Sequence, residues 1–353
     1  MRAVIVVPRG VKPERWQEQG ARRLWRRDGE MPKLITGGTG FVGAELARGL
    51  AERGEEIILF DIAPNYERLD GIEKRVKLVL GDLKVWAEVY NVVKDYRIEG
   101  IYHLGSMLSV ASDANPWASF QVNVVGTMHV LEAARLFDVK RIVFGSTAGT
   151  YGLGTTGVIT DETLQRPTTM YGCGKLYCEL LGRFYRRKFG LDFRSVRYPA
   201  LIGPGVRTPG VAQYNAWMIE YPAAGKPYEC YVSGETRMPV MYFKDAARCI
   251  DMLYRAPREQ IQTMNYNVAG VTPSRTAQEL EQVVRKYIPA AQITYNPNPE
   301  IMDFYETLRM EVIDDTRARQ EWGWDPQFAG LDKVVVDFLE EMRRHPRRFG
   351  MTD

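Results

Sequence analysis

Three glycines at spacing three, Gly37, Gly40 and Gly43 within Thr36-Gly-Gly-Thr-Gly-Phe-Val-Gly43, constrain this chain more than any other stretch. Just before them, Lys33–Thr36 reads as a short strand. Just after them, Val42, Leu46, Ala47 and Leu50 repeat with the helical period, and Gly54 is placed to end that helix. Strand, glycine turn and helix in that order carry a mechanism. Gly37 permits the tight turn, Gly40 lets a ligand come against bare backbone, and Gly43 lets the helix lie close on its strand. The free N–H groups and partial positive charge of the helix start, at Phe41 and Val42, then suit a pyrophosphate.

The unit repeats. Further short apolar runs at Glu56–Phe60, Lys77–Leu80, Ile101–Leu104, Arg141–Phe144 and Phe193–Tyr198 alternate with amphipathic stretches at 41–53, 84–96, 117–137 and 171–189. Such alternation predicts an α/β fold, a Rossmann doubly wound parallel sheet covered by helices on both faces. Ligands then bind along the carboxyl edge of the strands. After about Pro199 the alternation weakens and Gly203, Pro204, Gly205, Pro209 and Gly210 crowd together. We expect a dinucleotide-binding domain over 31–200 and a smaller mixed α/β substrate-binding lobe over 201–353. A segment near 240–270, including the strand-like Asn265–Val268, is expected to return to the first sheet.

Charge and cysteines exclude other classes. The balance is 47 − 44 = +3 over 353 residues, too small for a nucleic-acid binder. Residues 1–30 hold seven Arg and one Lys against four acids, which reads as a disordered extension before the fold. Glu14, Glu18, Asp28 and Glu30 argue against a transit peptide there. No apolar run reaches the length of a membrane span. Cys173, Cys178, Cys230 and Cys249 have no zinc-ligand spacing, and His103, His129 and His345 are scattered. We therefore expect no metal and a cytoplasmic protein.

Asp61 closes the second strand, 18 residues after Gly43. A carboxylate there accepts hydrogen bonds from the adenosine ribose and repels a 2′-phosphate, which favours NAD over NADP. Asp82 and Leu83, after the third strand, are placed to meet the adenine. Leu104, Gly105 and Ser106, after the fourth, are further cofactor candidates.

Tyr171-Gly-Cys-Gly-Lys175 sets a phenol and an ammonium four residues apart on one helical face. The ammonium is expected to favour the phenolate, so that Tyr171 can take a proton from a substrate hydroxyl while hydride leaves its carbon. Ser146 and Thr147, at the end of the fifth strand, can hold the same oxygen.

In this order the motifs resemble the extended short-chain dehydrogenase/reductase family, which includes the NAD-dependent epimerases and dehydratases. The resemblance runs from about Lys33 to Met342. It is nearest to the epimerase-like L-threonine 3-dehydrogenases, through Thr150-Tyr151-Gly152, Arg166-Pro167, Tyr171-Gly-x-x-Lys175, Gly190–Pro199, Thr236–Tyr242, Asp314–Arg319 and Trp322-Gly-Trp324. It implies Thr147 as the active-site hydroxyl, with Ser146 beside it, and a nicotinamide pocket lined by Tyr198, Pro199, Ala200 and Leu201. It implies Ser109 and Tyr214 near a small substrate, and Asn123 as either a catalytic or a packing amide. It also implies a homodimer through helices 117–137 and 171–189, whose apolar faces carry Phe120, Val124, Met128, Leu131, Leu176, Leu180 and Phe184.

One stretch departs from that pattern. Where the subgroup carries Gly-Gly-Thr-Thr-Asp-Tyr, this chain has Pro209-Gly-Val-Ala-Gln-Tyr214, so Val211, Ala212 and Gln213 replace two hydroxyls and a carboxylate. The expected activity is NAD-dependent oxidation of a secondary hydroxyl on a threonine-like molecule, another β-hydroxy acid or another small polar alcohol. The alternatives are a nucleotide-sugar epimerase or dehydratase with tightly bound NAD, in which Arg237 meets a diphosphate, and a non-enzymatic NAD(H) sensor.

Overall fold

The computed structural model describes residues 31–207 and 210–350, so the extension expected over 1–30 lies outside the described residues. In chain order the strands are β1 (Lys33–Thr36), β2 (Ile57–Asp61), β3 (Lys77–Leu80), β4 (Gly100–His103), β5 (Arg141–Thr147), β6 (Thr156–Ile159), β7 (Asp192–Tyr198), β8 (Ala200–Ile202), β9 (Tyr228–Cys230), β10 (Arg237–Tyr242), β11 (Asn265–Asn267), β12 (Val271–Thr276), β13 (Ile293–Tyr295) and β14 (Arg309–Ile313). Seven of them form one sheet in the order β11-β7-β5-β4-β1-β2-β3. Every neighbouring pair in it is parallel.

Alternate residues of each strand feed two separate cores, because side chains point to opposite faces. Ile35, Leu59, Tyr102 and Val143 pack with Leu46 and Leu50 of the helix Phe41–Glu52, and with Ile250 and Leu253 of the helix Phe243–Arg255. Leu34, Ile58, Ile101, Ile142 and Phe144 pack the other way, against Val92, Leu131 and Cys178. Cover on both faces is why these strands read as unbroken apolar runs.

The strand order reverses between β1 and β4, and the turns that follow these two strands meet there. A Cβ on Gly37, whose φ is +63°, would lie 2.8 Å from the Cα of Gly105. Thr36 Oγ1 accepts the N–H groups of Leu104 and Gly105 at 3.2 and 3.1 Å, tying the two strand ends together. Between the splayed turns opens a cleft of about 530 Å³.

A smaller lobe closes one side of that cleft. Its three-stranded sheet runs β12-β10-β8, and β9 with β13 forms a separate pair. Ile202, Tyr214, Ile219, Phe243, Leu280, Val334 and Phe338 belong to its core. β11 lies beside β7 in the large sheet and pairs with it in parallel.

The stretch 117–137 is not the regular helix its apolar period predicts. It runs as Pro116–Ser119, a π-helical turn at Phe120–Val125, then Gly126–Leu136. Within the turn, the Asn123 carbonyl accepts the Thr127 hydroxyl at 2.6 Å and the Cys178 thiol at 3.2 Å. The wider turn brings the Asn123 side chain onto the backbone of Met107, accepting its N–H at 2.7 Å and donating to its carbonyl at 2.9 Å. A π turn depends on partners from outside the helix, which an apolar repeat does not encode.

Gly43 has little room for a side chain: a Cβ there would lie 2.3 Å from the Gly37 carbonyl oxygen and 3.0 Å from the Gly38 Cα. Gly43→Ala is expected to cost about 1–3 kcal/mol, since backbone must shift to admit it. A urea midpoint unchanged from that of the parent chain would contradict this.

Candidate active site

The glycine turn and the strand ends build one wall of the cleft. Gly37, Gly40, Phe41, Val42, Gly43, Asp61, Asp82, Leu83, Leu104, Gly105 and Ser106 all line it. The helix Phe41–Glu52 has no side-chain cap at Gly40, so its first N–H groups remain available to an anion. A Cβ on Gly40 would lie 2.9 Å from the Gly37 carbonyl oxygen, so bare backbone is what this cradle offers. Asp61 Oδ2 accepts the N–H and the hydroxyl of Thr39 at 3.0 and 2.7 Å, while Oδ1 has only a long contact to Ala63 N–H at 3.3 Å. That leaves Oδ1 for a ribose hydroxyl. The set fits NAD: a phosphate cradle, a ribose acid and an apolar seat at Leu83 lie along one cleft.

The second group gathers at the ends of β5 and β7. Ser146, Thr147, Tyr171, Lys175, Tyr198, Pro199, Ala200 and Leu201 line the same cleft, and Ser109, Ala212 and Gln213 bound it from loops. Thr169 caps the helix Met170–Phe189, accepting Gly172 N–H at 3.1 Å, and this places Tyr171 and Lys175 in its first two turns. Lys175 is buried, and its Nζ donates to the Gly145 carbonyl at 2.7 Å. The ammonium stands 5.5 Å from the Tyr171 ring centroid and 4.5 Å from that of Phe144.

The expected depression of the Tyr171 pKa is not what this geometry gives. Burial pushes the phenol up to about 12, against a smaller pull from the Ser106 hydroxyl. Lys175 lies under the ring, held to Gly145, and burial pushes it down to about 8. The phenol is therefore protonated at neutral pH until positive charge arrives beside it.

The two hydroxyls on β5 are not equivalent. Thr147 Oγ1 accepts Gly149 N–H at 3.1 Å, which leaves its own proton free for the cleft. Ser146 Oγ donates at 2.5 Å to Glu179 Oε1 and so faces the cleft as an acceptor. Glu179 is fully buried and paired with Arg197 through Nε at 3.1 Å and Nη2 at 2.7 Å. Arg197 also donates to the Tyr151 hydroxyl at 2.9 Å. Sequence reading passed over Glu179, although its place four residues after Lys175 puts it on the Tyr171/Lys175 face. It also passed over Thr39 and the cleft-lining Leu108, Val122 and Val206, which carry no local signal.

Two expected site residues stand elsewhere. Tyr214 opens the helix Tyr214–Ala223 with its ring inside the lobe core, near Tyr231 and Tyr305. Arg237 starts β10, where its guanidinium donates to the Ser274 carbonyl at 2.9 Å and lies 3.6 Å from Glu279. Neither lines the cleft. Asn123 acts as a strut under the Met107 loop, the packing alternative of the two. Among the described residues no group of three or more His, Cys, Asp or Glu is placed to hold a metal ion.

Glu179→Ala strands the Arg197 charge in the interior and is expected to cost about 3–5 kcal/mol of stability, read from urea unfolding. A loss below about 1 kcal/mol would mean that the pair is not desolvated as described.

Comparison with known proteins agrees with this geometry. Residues 33–269 match the NAD dependent epimerase/dehydratase family. The chain is 32% identical over 312 residues to the mitochondrial L-threonine 3-dehydrogenase of Bos taurus, covering 87% of this chain and 81% of that one. It is similar to the holo form of a GalE-like L-threonine dehydrogenase from Cupriavidus necator, with TM-score 0.80, 31% identity and coverage of 88% and 99%. A monomeric L-threonine 3-dehydrogenase from a metagenome gives TM-score 0.80 at 28% identity, with the same coverage. The glycine turn, Asp61 and the Tyr171, Lys175 and Thr147 side chains thus stand along one cleft of a doubly wound sheet, and the chain belongs to the NAD dependent epimerase/dehydratase family.

Proposed function

We propose that this protein is an NAD-dependent dehydrogenase that oxidises the secondary hydroxyl of a small polar substrate at the Tyr171/Lys175/Thr147 cluster. The observation that carries this is the convergence of those three side chains with the glycine cradle in one cleft. NAD, when bound, supplies the hydride acceptor. Thr147 donates to the reacting oxygen, and Tyr171 takes its proton. Lys175 holds positive charge beneath the phenol, and Gly145 fixes where that charge sits. Leu104, Tyr198, Ala200 and Leu201 keep water from the reacting carbon. The threonine dehydrogenase relatives support a substrate of that scale.

Tyr171→Phe is expected to abolish NADH formation, because no other group in this cluster accepts the proton. Retained turnover would remove Tyr171 as the base. The Lys175 ammonium, pushed down to about 8, keeps its charge below that pH and loses it above. With NAD as the varied reactant, kcat/KM should therefore bend downward above about pH 8. Lys175→Arg, which stays charged, should shift the bend upward by at least about two units. An unmoved bend would assign it to another group.

The functional unit is read as a homodimer, in the cytoplasm. Phe120, Met128, Leu180 and Phe184 are exposed on the helices at 120–136 and 170–189, whereas Val124 and Leu131 turn inward. Four large apolar side chains on adjacent helices suit an isologous contact, and the metagenomic relative described as monomeric sets the alternative. All four cysteines are free thiols, which suits a reducing compartment. Sedimentation velocity should give twice the chain mass, and Leu180→Arg should return it to one. A parent chain that sediments as a monomer removes the dimer.

A further inference from the structure

We infer that the substrate is uncharged away from its reacting carbon and is selected through the amide of Gln213. This deepens the dehydrogenase reading and rests on it. Away from the strand ends, the cleft that holds Tyr171 and Thr147 is also lined by Leu108, Ser109, Val122, Val206, Ala212 and Gln213. Among the described residues that line the whole cleft, the charged side chains are Asp61, Asp82 and Lys175. Asp61 ends β2 and Asp82 follows β3, three and four strand positions from β5 in the sheet order. At ~4.8 Å per strand, that separates them from Thr147 by about 14 and 19 Å. Lys175 is spent on the Gly145 carbonyl beneath the phenol.

Two other sources of charge nearby are also engaged. Arg207 pairs with Glu220 and donates to the Phe349 carbonyl at 3.2 Å. The start of the helix Met170–Phe189 would attract an anion, but Met170 N–H already donates to Asp113 Oδ1 at 2.8 Å, and Gly172 N–H to Thr169. A substrate carboxylate or ammonium entering this end would shed water and meet no opposing charge, which is costly.

What these lining residues do offer, beside the Ser109 hydroxyl, is a neutral amide among apolar side chains. Gln213 is nine-tenths buried, and its Nε2 reaches the Val206 carbonyl at 3.4 Å, which leaves the amide oxygen for a ligand. A hydroxyl or carboxamide N–H donates well to that oxygen, and a methyl fits against Leu108, Val122 and Ala212. The substrate class is therefore a small secondary alcohol bearing a second hydroxyl or a carboxamide. Its carbinol C–H leaves as hydride to NAD, its O–H proton goes to Tyr171, and the product is the matching ketone.

The test uses the full chain with four probes that share a secondary carbinol: 3-hydroxybutanamide, butane-2,3-diol, 3-hydroxybutyrate and L-threonine. NADH formation is followed with NAD⁺, and affinity for each probe is measured by calorimetry on the NADH-loaded protein. The neutral pair should exceed the charged pair by at least about tenfold in kcat/KM and in affinity, as expected where an ion is left unpaired. Gln213→Asp should raise L-threonine relative to 3-hydroxybutanamide by about tenfold, and Gln213→Ala should weaken the amide without favouring threonine. Preference for 3-hydroxybutyrate or L-threonine overturns the inference, as does failure of both neutral probes to bind. Tighter binding of the neutral probes with no NADH from any of the four leaves only the selectivity of the Gln213 amide standing and removes the dehydrogenase reading.

Discussion

Bare backbone against bare backbone, where Gly37 meets Gly105, is the contact on which the site depends. It sets the depth of the crevice between β1 and β4, and a chain of hydrogen bonds holds it from behind. Thr36 Oγ1 accepts two N–H groups from the turn after β4 and donates to His103 Nδ1 at 2.7 Å. Nε2 of the same ring, 2.9 Å from Thr127 Oγ1, then carries the donated proton, and Thr127 donates to the Asn123 carbonyl. His103 is buried and its pKa is pushed down to about 3, so the ring stays neutral and this order of donors holds at any physiological pH. One path thus joins the phosphate turn to the π turn that props the Met107 loop.

At the other end of the cleft, burial acts on two groups in opposite directions. The same exclusion of water raises the Tyr171 phenol and lowers the Lys175 ammonium. At rest, proton transfer is held off. Positive charge placed beside the phenol would reverse that, which couples reactivity to the loaded site. Glu179 contributes by fixing Ser146 as an acceptor, which leaves donation to Thr147. Its bond to Arg197, and that of Arg197 to Tyr151, tie this choice to the strand β7 and the turn after β5.

Much of the fold was legible because its signals are local. The glycine spacing, the period of the helix after it and the unbroken apolar strands each follow from neighbours a few residues apart. Asp61 and the Tyr171/Lys175 pair were legible for the same reason, each being tied to a strand end or to one helical face. The regular helix expected over 117–137 was not found, because its π turn answers to Met107 and Cys178 from other elements. Arg237 and Tyr214 were expected at the substrate and stand outside the cleft, since a match in sequence pattern does not say which way a side chain turns.

The sequence by itself determined a dinucleotide fold and placed Asp61 at a strand end and Tyr171 with Lys175 on one helical face. These are set by turn sterics and helical spacing, which act over a few residues. Only the tertiary structure decided that Lys175 sits under the phenol and that Ser146 and Thr147 divide acceptor from donor. It likewise decided that Gln213 lines the same cleft beside Leu108, Val122 and Ala212. Those properties come from burial and from partners tens of residues away, and both exist only once the sheet, the helices and the lobe have closed around the cleft.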